Sequence, residues 1–542
     1  MTPPTPRRSP GSEITADAVP GPSAARREEA RMSHPATDPH ETAPQPAGAP
    51  RGEGTPRGEG APLRAPQILD LVRTLPDHSG FPTVDELHES FEDLARGTRG
   101  TERVGRRRVG TSRLGEPIHE YVVGDGPHQA VIVGGVHPNE PIGSWTALHL
   151  AQMMLEEDGP AEALATTWHI VPTIDPDGMR LNEDWFADPF DRTHYSRHFF
   201  RPAPDSQVEW TFPTDFRDAY FDAVLPETLA LMRLIDDVRP DLLVTLHNGE
   251  MGGVYYYLSH DEPELIADLH AIPDALGLSL DTGEPESPHL RTLATAVFAM
   301  DDISSYYEYL ESIGLDPAPQ IRGSSSASWG ARHDALCLVA ELPYWTHPDA
   351  GDETPTAEPY RDLVLRTAET MGASGEALQQ ILDEAERHLS LRTPYLEASR
   401  AFVPMLGAIA ETDRRRAPLE PAERRATVAE RFACEDLVRC FRLRYGGMLL
   451  QAIEAETRAG IAPAPLRALR GRMAALYEEW LADAATEATP IPMRTLVGVQ
   501  LGAVLAGAAH VAATRPTSNA ATRPTSDAAS ADLPVPDDGG AS

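Results

Sequence analysis

Short apolar segments alternate with longer amphipathic segments between residues 105 and 350. The β-branched run at 131–136 has the pattern of a buried strand, and similar runs follow at 167–174, 241–247, 253–258 and 336–340. Between them, apolar residues recur at helical spacing. Strands that alternate with helices predict an α/β fold, with a mixed, largely parallel sheet and flanking helices.

Beyond residue 352 the pattern becomes helical throughout. Helices are predicted at 356–373, 375–390, 395–411, 420–458, 464–486 and 490–512, which indicates a second, all-α domain. The most apolar stretch, 496–511, contains Gln500 and His510. It is shorter than the roughly 20 apolar residues that a membrane span needs, so a buried helix is predicted there.

The two ends of the chain have a different composition. Residues 1–63 are dominated by Pro, Gly, Ala, Glu and Arg, and 513–542 repeat the motif Ala-Thr-Arg-Pro-Thr-Ser. Such segments bury too little apolar surface to fold, so both are predicted to be disordered. A catalytic domain is predicted at 64–352, with a helical lead-in at 64–100 in which Thr83 and Glu86 form a capping box, and the all-α domain at 353–512.

The net charge and the number of cysteines indicate which binding partners and which cellular compartment to expect. The formal net charge is −36, and all 47 basic residues are arginine. A strongly acidic chain argues against nucleic acid or an anionic membrane as a partner. The 3 cysteines give no disulfide framework, which favours a reduced, cytoplasmic location.

Three candidate metal ligands lie at the ends of apolar strands. His137 and Glu140 follow the strand at 131–136, and His247 ends the strand at 241–247. Two imidazoles and one carboxylate leave the fourth tetrahedral position of zinc open, as catalytic zinc requires. Parallel strands bring their carboxyl ends to one edge of a sheet, so one zinc ion per chain is predicted there.

A base is also needed, and Glu341 is the candidate. It directly follows the apolar run at 335–340. Burial of a carboxylate at this place is costly unless it has a function or a partner. We therefore predict that Glu341 activates a zinc-bound water and then protonates the leaving amine.

These motifs together resemble the zinc metallocarboxypeptidase family. His137-x-x-Glu140 after a Gly-Gly strand, the turn at 175–178, the strand-borne His247, and Ser326-Ala-Ser-Trp329 before Glu341 occur in the order of that family, over roughly residues 105–350. The resemblance implies a carboxypeptidase-like fold, zinc on His137, Glu140 and His247, and catalysis by Glu341.

The family also uses an arginine to polarise the scissile carbonyl, some distance after the 175–178 turn. Arg197 fits that place best, and Arg192 and Arg201 are the competing candidates. A guanidinium is suited to this role because it stabilises the oxyanion that develops in the transition state.

The sequence departs from the family where the substrate is recognised. Carboxypeptidases grip the terminal carboxylate of the substrate with an Asn-Arg pair, whereas this chain has Gln207-Val-Glu209-Trp210. Glu209 would repel a carboxylate and favour a cationic or amine group. Arg322 could contact an anion from another position. The candidate substrate-binding residues are Glu209, Arg192, Arg201, Arg322 and Trp329.

The leading hypothesis is a zinc metallopeptidase that cleaves a peptide or small amide. One alternative is an N-acyl-amino-acid amidohydrolase of the desuccinylase and aspartoacylase type, which shares the ligand pattern. Another is a non-catalytic metal-site protein that acts through its helical domain.

Overall fold

The computed structural model describes residues 62–97, 104–485 and 487–515. The segments predicted to be disordered lie almost wholly outside these ranges. Nothing about their conformation therefore enters the description of the fold.

The described residues contain fifteen strands. They are β1 (Val104–Thr111), β2 (Pro117–Val123), β3 (His128–Val133), β4 (Thr166–Val171), β5 (Thr214–Phe216), β6 (Ala219–Phe221), β7 (Leu242–Thr245), β8 (Tyr255–Leu258), β9 (Thr292–Ala294), β10 (Val297–Ala299), β11 (Leu336–Glu341), β12 (Trp345–Thr346), β13 (Pro355–Pro359), β14 (Arg425–Thr427) and β15 (Thr489–Pro490).

The same residues contain sixteen α-helices. They are α1 (Ala65–Val72), α2 (Val84–Arg96), α3 (Ile142–Leu155), α4 (Ala161–Leu164), α5 (Pro176–Arg180), α6 (Glu183–Phe186), α7 (Arg192–His198), α8 (Pro226–Val238), α9 (Pro263–Ala275), α10 (Ile303–Ser312), α11 (Ser326–Gly330), α12 (Tyr360–Glu386), α13 (Pro394–Arg416), α14 (Val428–Arg458), α15 (Ala464–Asp483) and α16 (Met493–Thr514).

Nine strands form one mixed sheet in the order β1-β2-β4-β3-β7-β11-β8-β10-β9. Its centre, β4-β3-β7-β11, is parallel, and antiparallel pairs lie on both sides of it. The central strands are almost continuously apolar because helices cover both faces of the sheet. This confirms the predicted mixed sheet with flanking helices followed by a helical region, although four of the eight strand pairs are antiparallel.

The parallel centre of the sheet positions the candidate site. β3, β7 and β11 are neighbours and run in the same direction. The residues that follow β3 and β7, and the last residue of β11, therefore meet at one edge. Strand-end residues far apart in sequence become spatial neighbours for this reason alone.

The last helix returns to the sheet. α16 packs against α1, α3, α9 and the strand β11. By length and composition it could cross a membrane, but 83% of its most apolar window is buried inside the protein, as predicted for a buried helix. The domain boundary near residue 352 stays a prediction. That boundary assigns α16 to the all-α domain, but α16 lies on the sheet.

Two local features differ from the sequence-based expectation. The helices predicted at 356–373 and 375–390 form the single helix α12, which continues through Gly372 and Gly375. A Cβ at Gly375 would lie 3.0 Å from Leu406 Cβ, so this glycine allows α12 and α13 to approach closely. The helical region also contains the short antiparallel pair β13 and β14, which the pattern did not predict.

The lead-in helices follow the prediction closely. The Thr83 side chain accepts a hydrogen bond from the backbone N–H of Glu86, and the Glu86 side chain accepts one from the backbone N–H of Thr83. This is the predicted capping box at the start of α2. The 175–178 segment, predicted as a turn, continues into the one-turn helix α5, because the Asp175 side chain caps it by accepting from Gly178 N at 2.9 Å.

Candidate active site

The first two candidate ligands lie in the loop after β3. Gly134 is required there, since a Cβ would lie 2.4 Å from the carbonyl oxygen of Pro172, and Gly135 adopts a φ of 67°. The loop then turns through a hydrogen bond from Glu140 N to His137 O of 3.0 Å. The side chains of His137 and Glu140 are both buried.

The third candidate ligand, His247, lies two residues beyond β7. Its Nδ1 is 3.1 Å from Glu140 Oε2, and its ring centroid is 4.9 Å from that of His137. The backbone N–H of Asn248 donates to Glu140 Oε2 at 3.3 Å. The sheet therefore joins residues that are 107 positions apart in the sequence.

His137, Glu140 and His247 fit a metal ion. Each offers one ligand atom, all three atoms lie within 4.8 Å of one another, and all three residues are buried. The Nδ1 of His137 is buried and has no hydrogen-bond partner among the described residues. Two nitrogen donors and one carboxylate are a set that zinc accepts in catalytic sites.

The electrostatics of the two histidines differ. Burial lowers the pKa of His137 well below its ordinary value, and Arg201 and His247 lower it further, so this imidazole is neutral. Burial also lowers the pKa of His247, but the hydrogen bond and charge of Glu140 raise it to about 9, with further contributions from Glu341 and Glu209. The surrounding carboxylates thus stabilise positive charge at this point, as a metal site requires.

Glu341 is the last residue of β11 and reaches the same place. Its Oε1 is 3.7 Å from His247 Nδ1. Burial raises the pKa of this carboxyl well above its usual range, which the positive charge of a protonated His247 opposes. The predicted base therefore lies beside the candidate ligands, near where a substrate carbonyl would approach them.

Arg201 is the arginine that the structure brings to this group. Its Nη1 donates to Glu140 Oε1 at 3.1 Å and its Nε to Gln207 Oε1 at 2.9 Å. The guanidinium carbon lies 5.2 Å from the ring centroid of Trp210, which itself packs edge-on against His137. Among the described residues, none accepts a hydrogen bond from Arg201 Nη2.

The two other arginines of the predicted set point elsewhere. Arg197 pairs with Glu478 on α15, and its side chain is 42% exposed. Arg192 donates to Glu250 Oε1 at 2.9 Å and to Asp436 on α14 at 3.1 Å. Neither contacts a candidate ligand, so Arg197 as the carbonyl-polarising residue stays a prediction that its position does not favour.

Glu209 is buried next to the ligand cluster. Its Oε1 accepts hydrogen bonds from Ser326 N at 3.0 Å and Ser326 Oγ at 2.8 Å. Its Oε2 is buried and has no partner among the described residues. Burial raises the pKa of Glu209, while the charge of His247 lowers it, which places the two groups within electrostatic reach.

Arg322 and Trp329 remain substrate-binding predictions. Arg322 is exposed, and it forms no ion pair with any described residue. Trp329 donates through Nε1 to Asp236 on α8 at 3.1 Å, and Arg332 lies 3.9 Å from its ring centroid. Trp329 therefore connects α11 to α8.

The sequence reasoning missed a buried ionic network directly after the third ligand. Glu250 accepts hydrogen bonds from Arg192 at 2.9 Å, from Arg444 Nε at 2.9 Å and from Cys440 Sγ at 3.1 Å. Arg444 and Cys440 belong to α14. An acidic residue three positions after a strand-end histidine was the available signal, but its partners lie 58, 190 and 194 residues away.

A second missed contact involves Gln500 on α16. Its Nε2 donates to the backbone carbonyl of His247 at 2.7 Å. The signal was a glutamine within the apolar run at 496–511, where burial of an amide requires partners. The sequence could not identify those partners.

Residues 96–296 match the family model of the zinc carboxypeptidases. Among similar solved structures, a metallo-carboxypeptidase from Burkholderia cenocepacia is 16% identical, with 48% of this chain and 60% of that chain covered and a TM-score of 0.29.

A metallo-carboxypeptidase from Pseudomonas aeruginosa, in complex with (2-guanidinoethylmercapto)succinic acid, is 18% identical over 48% of this chain and 60% of that chain, with a TM-score of 0.31. Carboxypeptidase A from Helicoverpa armigera is 11% identical over 65% of this chain and 80% of that chain, with a TM-score of 0.31. No curated protein matches the chain.

Proposed function

Because residues 96–296 match the family model of the zinc carboxypeptidases, we propose that this protein hydrolyses peptide bonds in substrates whose recognised end carries a cationic group. The family match confirms the predicted class, a zinc-dependent metallopeptidase of the carboxypeptidase type, and does not favour the amidohydrolase or non-catalytic alternatives. The observation that carries the proposal is the buried group of His137, Glu140 and His247 with Glu341 beside it.

The candidate ligands and the base have separate roles. His137, Glu140 and His247 would hold the ion, which when bound supplies Lewis acidity toward the scissile carbonyl. Glu341 takes a proton from the attacking water and delivers it to the departing amine nitrogen. Its place at the end of β11 is fixed by the sheet, so the carboxylate is held next to the ligands before substrate binds.

Arg201 is the residue that we propose for the developing oxyanion. Glu140 and Gln207 fix two of its three guanidinium nitrogens, and the third, Nη2, has no acceptor among residues 62–97, 104–485 and 487–515 and can donate to substrate. Donors held in advance by the protein are effective because they need no reorganisation as charge develops. Of the three arginine candidates, this one contacts a candidate ligand.

The substrate proposal rests on Glu209. A buried carboxylate oxygen that has no hydrogen-bond partner in the described part of the chain, within electrostatic reach of the ligand cluster, disfavours a second carboxylate there. A cationic or amine group on the substrate would pair with it. Free C-terminal carboxylates are accordingly expected to be poor recognition elements.

A zinc determination combined with a peptide-library cleavage screen tests the enzyme class. Wild-type protein is expected to hold one zinc per chain and to cleave, while Glu341→Gln is expected to keep the zinc and lose cleavage by about 10²- to 10⁴-fold. Zinc binding without cleavage of any peptide by the wild type would contradict the proposal.

Paired substrates test the recognised end. Peptides that differ only in an amine-bearing or a free-acid end should be distinguished by wild type and not by Glu209→Gln, which keeps the acceptor for Ser326. Arg322→Gln is the matched control because Arg322 is exposed. Preferential cleavage of free-acid ends that depends on Arg322 would overturn this part.

We also propose a reduced, cytoplasmic setting. Cys337, Cys434 and Cys440 are all free and buried. Titration of the denatured protein with a thiol reagent should count three free thiols per chain after purification without reductant.

A further inference from the structure

The carbonyl group of His247 accepts a hydrogen bond from a side chain of α16. Gln500 lies on α16, 253 residues after His247, and its Nε2 donates to the His247 carbonyl at 2.7 Å. Its Oε1 accepts from Thr146 Oγ1 on α3 at 2.7 Å. Both ends of the amide therefore have a partner.

The surroundings of Gln500 make this arrangement specific. The residue is 1% exposed and its helix is buried and apolar. An amide in such a place is costly unless its donor and acceptor are both satisfied. Because the His247 carbonyl can only accept a hydrogen bond, Nε2 of the amide must face it, and the Thr146 hydroxyl is then the donor to Oε1.

The peptide group that follows His247 is held from both sides. Its N–H, that of Asn248, donates to Glu140 at 3.3 Å, and its C=O accepts from Gln500. Since His247 lies beyond the end of β7, sheet hydrogen bonds no longer fix its backbone. Rotation of this peptide would move the imidazole relative to Glu140.

We propose that Gln500 is a positioning residue for the zinc ligand His247, with the Thr146 hydroxyl as the partner of its amide oxygen. The proposal rests on the zinc site described above. It gives α16 a role in the metal centre in addition to its packing beneath the sheet. Groups that orient metal ligands typically change metal affinity by about 10- to 100-fold when they are removed.

Zinc affinity of purified Gln500→Met, measured by competition with a chromophoric chelator, tests the proposal directly. Methionine keeps the size and apolar contacts of the side chain and removes both hydrogen bonds. The dissociation constant for zinc is expected to rise about 10- to 100-fold. Circular dichroism and thermal unfolding establish that the variant is folded.

Gln451→Met is the matched control. Gln451 on α14 also donates to a backbone carbonyl, that of Arg197, at 2.8 Å. The same chemical change at the same kind of bond is expected to leave zinc affinity unchanged. A residue with only a structural role would give the two variants the same zinc affinity.

Two further variants should weaken zinc binding to different extents. Gln500→Glu places a carboxylate oxygen against the His247 carbonyl and is expected to weaken zinc binding at least as much as Gln500→Met. Thr146→Val removes the partner of the amide oxygen but leaves the bond to the His247 carbonyl, so a smaller loss is expected. Wild-type zinc affinity in Gln500→Met, in protein that is folded, overturns the proposal.

The outcome separates this inference from the proposed function. If wild type binds no zinc, the proposed function is wrong. If wild type binds zinc and cleaves peptides while Gln500→Met binds zinc equally well, the function stands and only the positioning role is wrong.

Discussion

The two segments that carry the candidate ligands are held in different ways. The first ligand segment, residues 137–140, is supported from within the sheet domain, by Gly134, by the 175–178 loop and by Tyr344, whose hydroxyl donates to Asn139 O at 2.9 Å. The second ligand segment, residues 247–250, is held by Glu140 and Arg192 and, in addition, by α14 and α16.

This difference connects the helical region to the candidate site. Gln500 holds the start of the second ligand segment, and Arg444 and Cys440 hold its end at Glu250. The parallel strands place both segments at one edge. The first segment is supported by residues of the sheet domain, whereas the second also depends on α14 and α16, so changes in the helical region should affect the second segment more.

Removal of Arg444 is expected to give the largest effect. Arg444→Met takes one partner from the buried carboxylate of Glu250 and should lower the free energy of unfolding by about 3–5 kcal/mol. Urea unfolding measures this. In a double-mutant cycle with Glu250→Gln, the loss in the double variant should be clearly smaller than the sum of the single losses. Strict additivity would show that the pair does not hold the segment.

Exchange of the arginines distinguishes the catalytic candidates. Arg201→Lys should lower kcat by about 10²- to 10³-fold, because an ammonium lacks the fork that donates to Glu140 and to the oxyanion together. Arg197→Lys, whose partner Glu478 is on α15, should leave kcat unchanged. Steady-state kinetics with one peptide substrate measures both. The reverse result would restore Arg197 as the carbonyl-polarising residue.

The support of the first ligand segment should depend on pH. Burial raises the pKa of Asp175 to about 6, with Arg113 and Gly178 opposing the shift. A carboxyl with a raised pKa in the folded state loses stability as pH increases from about 4 to about 6, since the unfolded chain releases its proton first. Asp175→Asn should remove this dependence and gain up to about 3 kcal/mol relative to wild type above pH 6.

Unfolding midpoints of both proteins between pH 5 and 8 check this. The difference between Asp175→Asn and wild type should grow with pH up to about 6 and then stay constant, and a difference that is the same at every pH would contradict the assignment. Because the effect concerns the first ligand segment, Gln500→Met should show the same pH dependence as wild type.

The smallest expected effect concerns the backbone of the first ligand segment. Gly135 has a φ of 67°, and a Cβ at this position would lie 2.6 Å from Thr173 Oγ1. We therefore expect Gly135→Ala to lower the free energy of unfolding by about 1–2 kcal/mol. Gly407→Ala in α13, where a Cβ meets nothing within 4 Å, is the control and should stabilise slightly. If the two substitutions changed thermal stability equally, the backbone at Gly135 would not be needed to support the first ligand segment.

The sequence alone predicted the central strands of the sheet and the candidate ligands and base that follow them. Apolar β-branched runs identify buried strands, and parallel strands must end at the same edge, so His137, Glu140, His247 and Glu341 were predictable from periodicity and residue type. Capping chemistry likewise predicted the start of α2 at Thr83. These features depend on local pattern or on the direction of strands.

Only the tertiary structure decided which distant side chains complete the site. Arg201 was one of three arginines with equal chemistry in sequence, and its contact with Glu140 separates it from Arg192 and Arg197. Gln500 was visible as a polar residue in an apolar helix, but not its hydrogen bond to His247. Periodicity reports which face of an element is buried, whereas the partner of a buried polar group depends on how elements remote in sequence pack together.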